Sequence, residues 1–64
     1  MLYRCRQVNA PVHGVSFHEL VEMMYEGDVC LVLAGQELGS IHHRVLFNGV
    51  VGYVYSNNIE PVEG

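Results

Sequence analysis

Asn48-Gly49 constrains this chain more than any other pair of residues. Both central positions of a type I′ turn need positive φ, and Asn-Gly adopts that geometry at least cost, so the pair marks a tight hairpin. Val45, Leu46 and Phe47 precede it, and Val50, Val51, Tyr53, Val54 and Tyr55 follow. Such β-branched and aromatic residues fit a pleated, half-buried surface. Ser56-Asn57-Asn58 then supplies a helix-like twist before a short apolar run at 59–62. The pattern predicts strand, tight turn, strand, twist and short strand over residues 45–63.

The preceding segments give weaker signals. Leu2-Tyr3-Arg4-Cys5-Arg6 alternates and predicts a first strand, with Tyr3 and Cys5 on one face and Leu2, Arg4 and Arg6 on the other. Asn9-Ala10-Pro11 is expected to end it, because proline donates no ladder bond. Ser16 and Glu19 have the spacing of a capping box. Phe17, Leu20, Val21 and Met24 follow at i, i+3, i+4 and i+7, which predicts a short α-helix over 17–25 ended by Gly27. Residues 28–34, DVCLVLA, form a near-continuous apolar strand. A strand with one wet face should alternate, so its outer face is expected to lie under the helix or a second chain. A glycine-bracketed loop at 35–40 leads to a strand over 41–47. Ile41, His43, Val45 and Phe47 share one face of it, and His42, Arg44 and Leu46 the other.

Sixty-four residues, half of them apolar and 16% charged, suit one small globular domain, 1–64. A net charge of −4, with three arginines and no lysine, speaks against nucleic acid, which requires a basic face. No apolar run approaches the length of a membrane span or a secretory h-region, so the chain is expected to be cytoplasmic and off the membrane. Cys5 and Cys30 match no metal or redox spacing and read as reduced, Cys30 as a buried hydrophobe.

EGDVCLVL at 26–33 and HHRVLFNGVVGYVYSNNIEPVE at 42–63 resemble the Src-homology-3 (SH3) domain over about two-thirds of the chain. The shared pattern is a Gly-Asp strand start, an NGxxG turn, a Gly-Tyr strand, a Ser-Asn turn and a closing strand; Leu2-Tyr3 is similar to the start of the family's first strand. The resemblance implies a mainly β fold, a small five-stranded SH3-like barrel with the short α-helix inserted in its first long loop. Family members bind proline-rich peptides in an aromatic groove. Here that groove is remodelled. Tyr3 keeps one groove position, but Cys5 stands for the second tyrosine, His42 for the tryptophan, Tyr55 for the proline and Asn58 for the last tyrosine. Ser56 and Asn57 keep the turn. A typical PxxP ligand is therefore not expected.

Catalytic and metal chemistry find little support. His42 and His43 are neighbours on a strand and point to opposite faces, and His13 and His18 lack helical ligand spacing, so no metal site and no cofactor are expected. No base is spaced to orient a thiol or hydroxyl, so the chain does not read as an enzyme. Tyr53 and Tyr55 alternate with an inward Val54 and should project outward, where tyrosine is enriched at binding hot spots; the alternative for Tyr53 is packing under the inserted helix with only its hydroxyl wet. Tyr3, His42, Tyr53, Tyr55 and Asn58 are the candidate partner-binding residues, with Tyr55, His42 and Asn58 forming a patch at the remodelled groove. The expected function is a stand-alone, non-enzymatic module binding a folded protein partner, of the kind phages and mobile elements use to modulate a host protein. The alternative is a self-associating subunit of a symmetric homo-oligomer, with a small-molecule site at its axis as in the type II dihydrofolate reductases.

Overall fold

A computed structural model describes residues 1–16, 18–33 and 41–63. Within them the chain forms seven strands: β1 (Leu2–Cys5), β2 (Asn9–His13), β3 (Leu20–Tyr25), β4 (Val29–Val32), β5 (His42–Phe47), β6 (Val50–Tyr55) and β7 (Ile59–Pro61). One turn of 3₁₀ helix, Ser56–Asn58, joins β6 to β7. All pairings are antiparallel, in the order β3-β2-β6-β5-β4-β1-β7. The protein is thus mainly β, as expected. The count of five, the closed barrel and the inserted helix are corrected: there are seven strands, the sheet is open, and no α-helix occurs among the described residues.

The β5–β6 hairpin forms as the turn residues require. Asn48 and Gly49 both hold positive φ, 51° and 76°. They set a register that runs from Phe47 opposite Val50 to His42 opposite Tyr55. Val45, Phe47 and Val54 consequently face inward and are buried.

The expected helix at 17–25 is where the reading departs most from the structure. Phe17 lies outside the described residues, and Leu20–Tyr25 is a strand paired with β2. Asn9-Ala10-Pro11, expected to end β1, instead opens β2. Glu26 N–H donates to Val8 O. Because hydrogen-bonded pairs alternate along an antiparallel ladder, Pro11 opposite Met23 then sits where the β2–β3 ladder needs no N–H. The register shifts between Val12, opposite Glu22, and His13, opposite Leu20, which leaves Val21 as the extra residue. Such a bulge lets Val21 and Met24 both reach the core although they are three apart, a spacing that also describes a helical stripe. The capping-box residues serve a loop: Ser16 Oγ accepts from His18 N–H at 3.4 Å, and Glu19 O accepts from Gly14 N–H at 2.8 Å. A nine-residue helix gains little from its own hydrogen bonds, so pairing with β2 prevails.

The β2–β3 hairpin folds over the inner face of the β6-β5-β4-β1-β7 layer. Ala10, Val12 and Met24 join Cys5, Cys30, Val45, Phe47, Val54 and Ile59 in one core. Gly52 is where the two layers come closest. A Cβ there would lie 2.6 Å from Val12 Cγ1 and 2.8 Å from the His13 carbonyl oxygen. β4 also differs from expectation. Its burial alternates, with Cys30 buried and Val29 and Leu31 exposed at 46% and 44%, so its outer face is not under a helix.

Two stability outcomes follow. Phe47→Ala, truncating a buried aromatic, should cost about 3–5 kcal/mol, enough to unfold a domain of this size. Gly52→Ala should destabilise by about 1–3 kcal/mol through overpacking against backbone that cannot swing away. Equilibrium denaturation read by circular dichroism measures both. A neutral Gly52→Ala would mean that β2 does not cross β6 this closely.

Candidate partner-binding face

Alternation along the strands sorts the candidate residues onto two faces. His42 and Tyr55 are directly opposite in the β5–β6 ladder, and their rings are 4.4 Å apart between centroids, tilted by 39°. Tyr55 is 46% exposed and His42 half-buried, so the pair forms a small aromatic platform on the outer face. Tyr53, half-buried, stands two residues along β6 on the same face, opposite Arg44 of β5 and His13 of β2. Tyr3 lies on the inner face. It packs against the core and meets the His43 ring at 5.4 Å. Asn58 belongs to the 3₁₀ turn, where its backbone oxygen accepts from Arg6 N–H at 2.9 Å. The structure thus brings His42 and Tyr55 together with Tyr53 on the same face, and sets Tyr3 behind the sheet.

Sequence reading missed a row of aliphatic side chains on that outer face. Leu2 is opposite Leu31, Leu31 opposite Leu46, and Leu46 opposite Val51. Opposed residues in a sheet share a face with Cβ atoms about 5 Å apart. Val62, whose N–H donates to Leu2 O, continues the row beside β1. On one flank Arg4 donates from Nε to Glu60 Oε2 at 2.9 Å. This pair is exposed and contributes little to stability. Arg44 and Tyr53 occupy the other flank. Leu2, Leu31, Leu46 and Val51 each lie in an unremarkable local pattern, and only the register lines them up.

Neither cysteine is placed for thiol chemistry. Both are buried and reduced. Cys5 Sγ donates to Gln7 O at 3.3 Å. The Cys30 thiol is pushed up from 9.0 to about 11, first by burial and then by the neighbouring Cys5. Among the described residues no three His, Cys, Asp or Glu side chains gather as metal ligands would, and no helix is long and apolar enough to cross a membrane. Compared with known proteins, the chain matches no protein-family model and no curated sequence.

The Cys30 environment makes a pH prediction with a definite sign. The folded state holds the thiol proton to a higher pH than the unfolded chain, so the contribution of Cys30 to stability is constant below about pH 9 and falls as pH rises from about 9 to about 11. Denaturant unfolding of wild type and Cys30→Ala across that window should show a steeper loss in wild type. Parallel slopes would mean that Cys30 keeps an ordinary thiol.

Proposed function

We propose that this protein is a non-enzymatic interaction module, a divergent stand-alone SH3-like domain that binds a folded protein partner through its outer sheet face. The SH3-like assignment is supported by the Asn48-Gly49 hairpin, the 3₁₀ turn after it, and a short last strand that pairs back onto β1. The His42–Tyr55 platform carries the functional reading: a tilted, partly exposed ring pair in contact, with Tyr53 on the same face. Rigid aromatic area bordered by arginine and aliphatic residues is what interface centres are made of. A cytoplasmic modulator of a host protein, of the kind phages and mobile elements encode, suits a single domain of this size.

One observation favours a second reading, self-association into a symmetric homo-oligomer. Val29 and Leu31 stand exposed on the outer face of β4. Apolar groups of this sort beside one another commonly mark a contact surface.

Tyr55→Ala tests the first reading. It should leave the fold intact, because Tyr55 is half out of the core, with a loss of about 0.5–1.5 kcal/mol from the ring pair. It should weaken capture of the partner by at least tenfold in affinity purification with matched, folded bait. Equal capture by the two proteins would overturn the assignment of this platform, as would a Tyr55→Ala variant that melts outright.

A further inference from the structure

We propose that the aliphatic row across β6, β5, β4, β1 and the segment after β7 is a homodimer interface, in which two copies stack sheet on sheet about a two-fold axis. This rests on the self-association reading and names the surface that performs it. Val51, Leu46, Leu31, Leu2 and Val62 form the row, in register across four neighbouring strands and the segment after β7. The outer face of an antiparallel sheet is usually polar where it meets water. Here Leu2, Leu31 and Val51 are 44%, 44% and 47% exposed.

Three features select a second copy as the occupant. The first is area. The row, with Val29, Arg4 and Glu60 on one side and Arg44 and Tyr53 on the other, places side chains about 4.8 Å apart across strands and about 6.8 Å apart along them, a flat footprint of about 330 Å². Two copies would cover about 650 Å², the size of a weak, concentration-dependent contact.

The second is charge. The chain carries −4, yet Glu22 lies on the β2–β3 hairpin, which packs on the opposite side of the sheet, and Glu26 and Asp28 lie in the turn that follows it. The outer face holds Arg44 and a neutralised Arg4–Glu60 pair. Two copies therefore meet with their acidic hairpins turned away from each other. The third is symmetry. The row reads Val-Leu-Leu-Leu-Val in either direction, so it meets itself under a two-fold, as an isologous interface demands.

Pairing through the β3 edge is a competing geometry, and the structure guards against it there. On β3, Met23 N–H donates to Glu22 Oε1 at 3.0 Å, and Tyr25 N–H donates to Asp28 Oδ2 at 2.8 Å. Carboxylates on these amides place negative charge where an identical edge would approach. The His42–Tyr55 platform lies at the far end of β6 from Val51, about 14 Å along the strand, so the dimer leaves two platforms at its rim.

Light scattering behind size exclusion, from low micromolar to near-millimolar protein, tests the proposal with wild type and Leu31→Lys. Wild type should pass from monomer to dimer, and Leu31→Lys should raise the dissociation constant at least tenfold with its circular dichroism unchanged. Should Leu31→Lys fail to fold, methyl spectra of wild type on dilution decide instead. Shifts confined to Leu2, Leu31, Leu46, Val51 and Val62 support the interface; shifts centred on β3 overturn it in favour of edge pairing. A wild-type monomer throughout overturns the interface and the self-association reading together. A dimer indifferent to a folded Leu31→Lys overturns the interface alone.

Discussion

The close approach of β2 to β6 at Gly52 is the contact on which the rest of the structure depends. Any side chain there would collide with Val12 and with the His13 carbonyl oxygen. With glycine, the β2–β3 hairpin can lie against the sheet and deliver Ala10, Val12, Met24 and the bulged Val21 to the core. Burial of that hairpin is a large share of what a 64-residue chain has to offset its conformational entropy. The contact also decides which face of the sheet is inside.

Everything on the other face follows from that choice. Once the hairpin occupies the inner side, Leu2, Leu31, Leu46 and Val51 are turned to solvent, together with Arg44, Tyr53 and the His42–Tyr55 pair. The same step carries Glu22, on β3, behind the sheet. An acidic protein thereby presents a face of aliphatic, aromatic and arginine side chains, a composition suited to contact with protein. The β3 edge, where an open sheet invites uncontrolled pairing, is held by Glu22 and Asp28.

The two alternatives for the outer face share a physical origin and differ in location. Aliphatic side chains fill the middle of the sheet, where flat stacking removes the most apolar area from water. The aromatic platform sits toward one end, where a partner can reach it past a second copy. An assembly with two outward platforms would gain avidity toward a partner that offers two sites.

The sequence by itself determined the elements whose signals are local. Asn48-Gly49 set the β5–β6 hairpin and its register, because positive φ at two adjacent residues is a property of those residues alone. Alternation also placed Tyr55 outward and set His42 and His43 on opposite faces, since its period is fixed at two. Tertiary structure decided the rest. The 17–25 stripe satisfied a helical period as well as a bulged strand, and only pairing with β2 separated the two. The aliphatic row was invisible in any window of sequence, because its members come from β1, β4, β5, β6 and the segment after β7. Register between strands distant in sequence is fixed by how the layers pack, and at Gly52 that packing turns on the absence of one methyl group.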